Sequence, residues 1–251
     1  MLRLGWFCTG DRSDRELLSS LLRARAEGRT AIEIAFVLVA PSDPEVGEEV
    51  AKLVEAHGIP VVVADRSHLR PGPSIGRCLE QFDIGVLVDP FPVTASMRRP
   101  LLSLRPALPA GPEGGEQEVI WHIIEQRADR HGLTVLLHGP EGDRPIAYCS
   151  YAIRGPRYNA LWMGYDAKVR GEGLEWVMRE EGEHEPLFRH VRKDGEVRRA
   201  ALVITLLNMV SEGKVHIRDD GVMVDDKRLD RPLDLTREVD RAVAKGEFRE
   251  A

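Results

Sequence analysis

Ser103, Arg105, His122, His138 and Asp143 are of the types that acid–base and oxyanion chemistry needs, and they fall within one stretch of the 251-residue chain. A neutral imidazole exchanges a proton near working pH, so His122 or His138 could take one from an amine. A hydroxyl and a guanidinium donate hydrogen bonds and could hold an oxygen on which negative charge develops. Arginine does not release its proton, so Arg105 is no general base. Each residue also has a plainer reading. Arg105 could be a solvated loop residue, His122 a helix-packing residue, and Asp143 a turn carboxylate. A second group, Gly10, Arg12 and Ser13, stands between an apolar run and an amphipathic segment. A helix starting there would offer backbone N–H groups to an anion, although an ordinary strand-to-helix turn has the same composition. The run from Arg179 to His190 mixes histidines with carboxylates and reads as a solvated charged loop. Cys8, Cys78 and Cys149 are far apart, without CxxC spacing, so no disulfide framework and no metal site is expected.

Alternating strands and helices would position these groups. Leu2 to Thr9, Ile32 to Val39, Ile59 to Ala64 and Ile84 to Val88 are short apolar runs that suit buried strands. Between them, Asp14 to Arg25 carries leucines at helical spacing, with Ser13 or Asp14 as N-cap, and Pro44 to His57 reads as a helix closed by Gly58. Ser74 to Phe82 is expected as a short helix. This order predicts a Rossmann-like α/β fold with a mostly parallel sheet, whose ligands bind at the carboxyl ends of the strands. Thr9–Asp14 and Asp89–Thr94 are the segments placed there. Pro100 to Gly115 is rich in proline and glycine and reads as loop. Glu118 to Arg130 reads as a helix ended by His131-Gly132. Leu133 to His138 and Pro145 to Ile153 read as strands. Arg154 to Arg199 is highly charged with weak periodicity, Ala200 to Glu212 is an apolar helix, and Val215–Ile217 with Gly221–Val224 suit a hairpin around Asp219-Asp220. A polar helix follows Pro232.

Hydrophobic residues make up 43% of the chain and charged residues 30%, as in a folded globular protein. The net charge of -6 supplies no global field for nucleic acid, while local arginines could still bind a small anion. The first residues turn polar too soon for a signal peptide, and no apolar run is long enough for a membrane span, so the expected location is cytoplasmic.

Several segments, in order, resemble the phosphoribosylglycinamide formyltransferase family of folate-dependent enzymes. Phe7-Cys-Thr-Gly-Asp-Arg-Ser-Asp14 is placed like the family's phosphate loop. Phe82-Asp-Ile-Gly-Val-Leu-Val-Asp-Pro-Phe91 is placed like the strand and loop that shape the folate pocket. Leu101-Leu-Ser-Leu-Arg-Pro-Ala-Leu-Pro109 resembles Leu-Leu-Asn-Ile-His-Pro-Ser-Leu-Leu-Pro. Val119 to Ile146 resembles the family's helix, Gly-Thr-x-x-His strand and Asp-x-Gly-Pro-Val-Ile turn, and Ile204 to Val224 its late helix and hairpin. The resemblance covers roughly residues 1–153 and 200–230.

The resemblance implies a formyltransferase-type sheet with a C-terminal extension. It divides the chain into a core over 1–153, an atypical insertion over 154–199, and a C-terminal helix, hairpin and tail over 200–251. It implies transfer of a formyl group from 10-formyltetrahydrofolate to a small amine, with or without a phosphate. Asp89, Pro90, Phe91, Pro92 and Val93 would line the folate pocket, and Gly10, Arg12 and Ser13 would meet the acceptor. The family's catalytic Asn and His correspond to Ser103 and Arg105. Its Asp corresponds to Asp143 if acidic residues are aligned, and to Gly142 if prolines are. Asp11 and Asp14 would repel a phosphate unless Arg12 or Arg15 offsets them, and Arg199 stands near the family's substrate-binding Glu. These departures leave two alternatives: a non-catalytic folate- or metabolite-binding protein, or a one-carbon hydrolase. Trp162, Tyr165 and Trp176, with Met163 among them, make the insertion aromatic and apolar, suited to covering the cleft or joining a homodimer.

Overall fold

The structure, a computed structural model, describes residues 1–41, 43–64, 81–88, 99–139, 142–218 and 221–247. The expected 74–82 helix, except for its last two residues, lies outside them. So do the loop Asp89–Thr94, with all five folate-pocket residues, and the Asp219-Asp220 turn.

The strands are β1 (Arg3–Cys8), β2 (Glu33–Val39), β3 (Val61–Val63), β4 (Ile84–Leu87), β5 (Leu101–Arg105), β6 (Arg130–Gly139), β7 (Gly142–Ala152), β8 (Val215–Arg218), β9 (Gly221–Val224), β10 (Lys227–Arg228) and β11 (Leu233–Asp234). Among the described residues the main sheet has eight strands in the order β11-β7-β6-β5-β4-β1-β2-β3. The five strands from β3 to β5 are parallel, β6 and β7 are antiparallel additions, and β11 runs parallel to β7. The mostly parallel α/β fold is as the sequence predicts. A separate three-stranded sheet joins β8, β9 and β10.

The longer helices among the described residues are α1 (Arg12–Ala26), α2 (Pro44–Glu55), α3 (Glu116–Glu125), α4 (Asn159–Glu172), α5 (Pro186–Ser211) and α6 (Thr236–Ala244), with short helical turns over Leu174–His184 between α4 and α5. Their starts are chemically marked. Asp11 caps α1 by accepting from the Asp14 N–H at 2.8 Å, so the cap is neither Ser13 nor Asp14. Asp43 caps α2 ahead of Pro44, and Glu185 caps α5 ahead of Pro186. Leucines 17, 18, 21 and 22 of α1 and residues 200–207 of α5 pack on one face of the sheet with Leu4, Trp6, Val86 and Leu102. On the other face Phe7, Phe36 and Phe82 meet edge to face, with centroids 5.5–5.8 Å apart.

Three boundaries differ from the sequence reading. Pro100–Gly115 is not all loop, because its first residues form β5, a short strand with a proline on each side. The helix expected over Glu118–Arg130 is α3, which ends at Glu125, since Arg130, His131 and Gly132 are drawn into β6. The apolar helix expected from Ala200 begins at Pro186, so a boundary at residue 199 falls inside α5. Its first half buries Leu187, Phe188, Val191 and Gly195 between charged residues that blur the period. With α3, Trp162 and Tyr165 of α4, and Tyr151, this half forms a second hydrophobic cluster. The aromatic side chains of the 154–199 segment are thus packed within the chain, Trp162 and Tyr165 buried and Trp176 half-buried.

Candidate functional site

The register fixes where each candidate stands. Phe7, Leu87, Ser103 and Leu136 form one row across β1, β4, β5 and β6. Arg105 lies two residues further toward the carboxyl edge, opposite Thr134. His138 lies two residues toward the amino edge, opposite Leu101, and Asp143 pairs with it across the β6–β7 hairpin. Strand alternation puts Leu101, Ser103 and Arg105 on the face that carries Phe7.

At the carboxyl end of β1 the chain turns through Gly10, whose φ of +81° favours glycine. A Cβ there would also lie 3.2 Å from the Val46 and Val50 methyls of α2. The turn is closed by Asp14. One carboxylate oxygen, Oδ2, accepts from Thr9 N at 2.8 Å, Thr9 Oγ1 at 2.9 Å and Gly10 N at 3.0 Å. Asp14 is buried, and burial together with the neighbouring Asp11 carboxylate pushes its pKa up to about 7. Arg12 has an exposed side chain that pairs with Glu16 at 2.7 Å. Arg15 pairs with Glu49. The Ser13 hydroxyl is hydrogen-bonded by Arg199 of α5, which also pairs with Glu116 of α3 at 2.6 Å. Arg192 adds a second contact to Glu116 at 3.2 Å and one to Glu196 at 3.4 Å. Burial, then Glu16 and Glu116, raises the Glu196 pKa, against the opposing pull of Arg192 and Arg199.

Arg105 shapes the turn after β5. Its Nη2 donates to Leu108 O at 3.0 Å and Pro109 O at 2.7 Å. The turn folds back on β6, where Thr134 Oγ1 donates to Ala107 O at 2.6 Å. Gly132 makes room for it, since a Cβ would lie 2.4 Å from Leu108 Cδ2 and 2.6 Å from Cys149 O. Arg105 Nε is buried and has no hydrogen-bond partner among the described residues. The half-buried guanidinium is therefore oriented, with its buried Nε–H left over.

His138 Nδ1 and Asp143 Oδ1 are 2.6 Å apart. His138 Nε2 is buried and unpartnered among the described residues. The pair has the form of an imidazole oriented by a carboxylate. From the His138 row to the Arg105 row is four residues of strand, about 13 Å at 3.3 Å per residue. Ser103 stands between them, about 7 Å from His138 by the diagonal of the ladder. His122 is exposed on α3 and makes no hydrogen bond with any of these residues. The structure thus brings together His138 with Asp143, and the turn at Gly10 with Ser13, but does not gather the five candidates at one point.

Thr9, Asp14, Glu116, Thr134 and Gly132 have structural parts in this region that were not assigned to them from sequence. Asp11 and Asp14 had a readable signal, a carboxylate three residues after a capping residue. Thr134 and Gly132 had none, since their partners come from a distant turn.

No family model matches the sequence, and no curated protein is similar to it in sequence. Solved structures are similar in shape. A phosphoribosylglycinamide formyltransferase from Anaplasma phagocytophilum superposes with a TM-score of 0.58 and 16% identity, covering 94% of this chain and 98% of that one. Glycinamide ribonucleotide transformylase 1 from Symbiobacterium toebii gives 0.53 and 16%, over 89% and 94%. A formyltetrahydrofolate deformylase from Pseudomonas putida gives 0.57 and 13%, over 89% of this chain and 70% of that one. At such identities the likeness is one of architecture, and this chain carries the α/β fold of the formyltransferase structures.

Proposed function

We propose that the chain acts on a formyl group carried by a reduced folate, moving it from 10-formyltetrahydrofolate to an amine. The fold supports this reading, because it is shared with structures named for formyl transfer and for formyltetrahydrofolate deformylation. The observation that carries it is Arg105. A cation held by two carbonyls at the carboxyl edge, with Nε–H unpartnered among the described residues, suits an oxygen that becomes negative when an amine attacks the formyl carbon. Ser103, on the same face, would be the second donor. His138, oriented by Asp143, would take the amine proton through an intervening group, because the strand distance is too long for one small acceptor to touch it and Arg105 together.

That same distance favours a second reading, a folate-binding protein without catalysis. Incubation with labelled 10-formyltetrahydrofolate and a panel of amines, followed by mass spectrometry, separates the cases. A formylated amine is expected. Free formate alone would point to hydrolysis. Folate binding with neither product would establish the non-catalytic reading, and no folate binding would end both.

A further inference from the structure

A strand that ends in a glycine turn and enters a helix is the ready-made anion site of parallel α/β folds, because backbone N–H groups point outward there. In this chain several of those donors are already used. Asp14 Oδ2 holds the N–H groups of Thr9 and Gly10 and the Thr9 hydroxyl. Asp11 Oδ1 holds the N–H of Asp14. The Ser13 hydroxyl is engaged by Arg199, whose charge is met by Glu116. The arginines of the first turn face Glu16 and Glu49 on the outer side of α1. A phosphate entering this turn would have to displace one buried carboxyl and face the exposed carboxyl of Asp11, and among the described residues Arg12, Arg15 and Arg199 are already paired with carboxylates.

We propose that the first turn of α1 is closed by its own carboxyl, Asp14, and that the acceptor handled by this chain is accordingly an unphosphorylated amine. The statement about the acceptor rests on the formyl-transfer reading above; the statement about the turn does not. Thr9 and Gly10 are fixed by a group belonging to the chain, so the turn is rigid without a ligand. The Arg199–Glu116 pair then ties α1 to α3 and α5 in place of a substrate anion.

The test is a calorimetric titration of the full chain with inorganic phosphate and with ribose 5-phosphate at millimolar concentrations. A titration with 5-formyltetrahydrofolate runs in parallel. No heat from either phosphate is expected, whether or not the folate binds. Phosphate binding that disappears in Arg199→Met would overturn the proposal. Phosphate binding that persists in both Arg199→Met and Ser13→Ala would overturn the statement about the acceptor, since the chain would then hold a phosphate without these two side chains. Folate binding without phosphate binding supports both readings. Absence of folate binding removes the formyl-transfer reading and leaves the closed turn standing. Asp14→Ala frees the two N–H groups and should gain phosphate binding at least tenfold over the parent. A folded Asp14→Ala chain that still refuses phosphate would show that Asp14 is not what closes the turn. If that variant does not fold, the parent titration decides.

Discussion

At the residue scale Arg105 has two separable duties. Its hydrogen bonds to Leu108 and Pro109 hold the turn after β5, and its Nε–H is the proposed oxyanion donor. Hydrogen bonds to a charged donor are worth about 1.5–3 kcal/mol each, and an oxyanion donor about 3 kcal/mol in the barrier. Arg105→Ala should therefore lower the urea midpoint and depress formyl transfer about a hundredfold, with a smaller effect on folate affinity. A loss of stability with turnover intact would confine Arg105 to the turn. His131 supplies a pH dependence of stability. Its ring is buried against Tyr151, with centroids 5.4 Å apart, and burial lowers its pKa from 6.5 to about 4. The unfolded chain takes this proton first, so the neutral ring's contribution is complete above 6.5 and is lost as pH falls to about 4. The loss is about 3 kcal/mol at most. Asp14 works in the opposite sense. Its raised pKa gives stability that is present below 3.8 and lost as pH rises through about 7. Urea midpoints of the parent, His131→Phe and Asp14→Asn across pH 4–8 separate the two. The parent should lose ground to His131→Phe toward acid and to Asp14→Asn toward neutral. Parallel curves for all three would refute both assignments.

At the element scale, what could be read from the sequence divides by the range of the interactions involved. The strands β1, β2 and β4 are continuous apolar runs, so composition alone identifies them. The strand β5 is not legible that way. It is five residues long, holds Ser103 and Arg105, and exists because β4 and β6 pair with it on either side. The first half of α5 fails for another reason. Its buried residues are few and its charged ones pair with α3 and the segment before it, so the sequence reads as polar. The hairpin pairing of His138 and Asp143 was readable as proximity, whereas their distance from Arg105 depends on the register of β6 against β5. The same register requires Gly132. Gly132→Ala would drive a methyl into Leu108 and the Cys149 carbonyl. Overpacking of this kind costs about 1–3 kcal/mol, and here one obstacle is backbone. Chemical denaturation should show at least that loss, with α3 and α4 unaltered by hydrogen exchange. A loss below about 0.5 kcal/mol would mean that the turn lifts off β6 freely and is not held by Thr134 and Arg105.

At the scale of the whole molecule, α5 is a long element that joins two hydrophobic clusters. Its 26 residues span about 39 Å at 1.5 Å per residue. The first half packs Leu187, Phe188 and Val191 into the cluster that holds Trp121 and Trp162. The second half packs residues 200–207 into the main core, which holds Trp6. A chain of this length would ordinarily be free to unfold in parts. Here a continuous helix crosses between the clusters, and breaking it in the middle costs hydrogen bonds and contacts in both. Unfolding should therefore be concerted. The check is fluorine resonance of the four tryptophans after labelling with 5-fluorotryptophan, each assigned by a Trp→Phe variant. The native signals of Trp6 and of Trp121 and Trp162 should disappear at one urea concentration. Lys193 is exposed in the first third of α5, between Val191 of one cluster and Ala200 of the other, and proline there removes a helix hydrogen bond and clashes with the preceding turn. Lys193→Pro should cost about 3 kcal/mol and split the midpoints, the Trp121 and Trp162 signals leaving before that of Trp6. Separate midpoints in the parent would show that the two clusters are independent and that α5 merely touches both. Coincident midpoints in Lys193→Pro would show that an element other than α5 carries the coupling, such as β7, which holds Ile146 and Cys149 in one cluster and Tyr151 in the other.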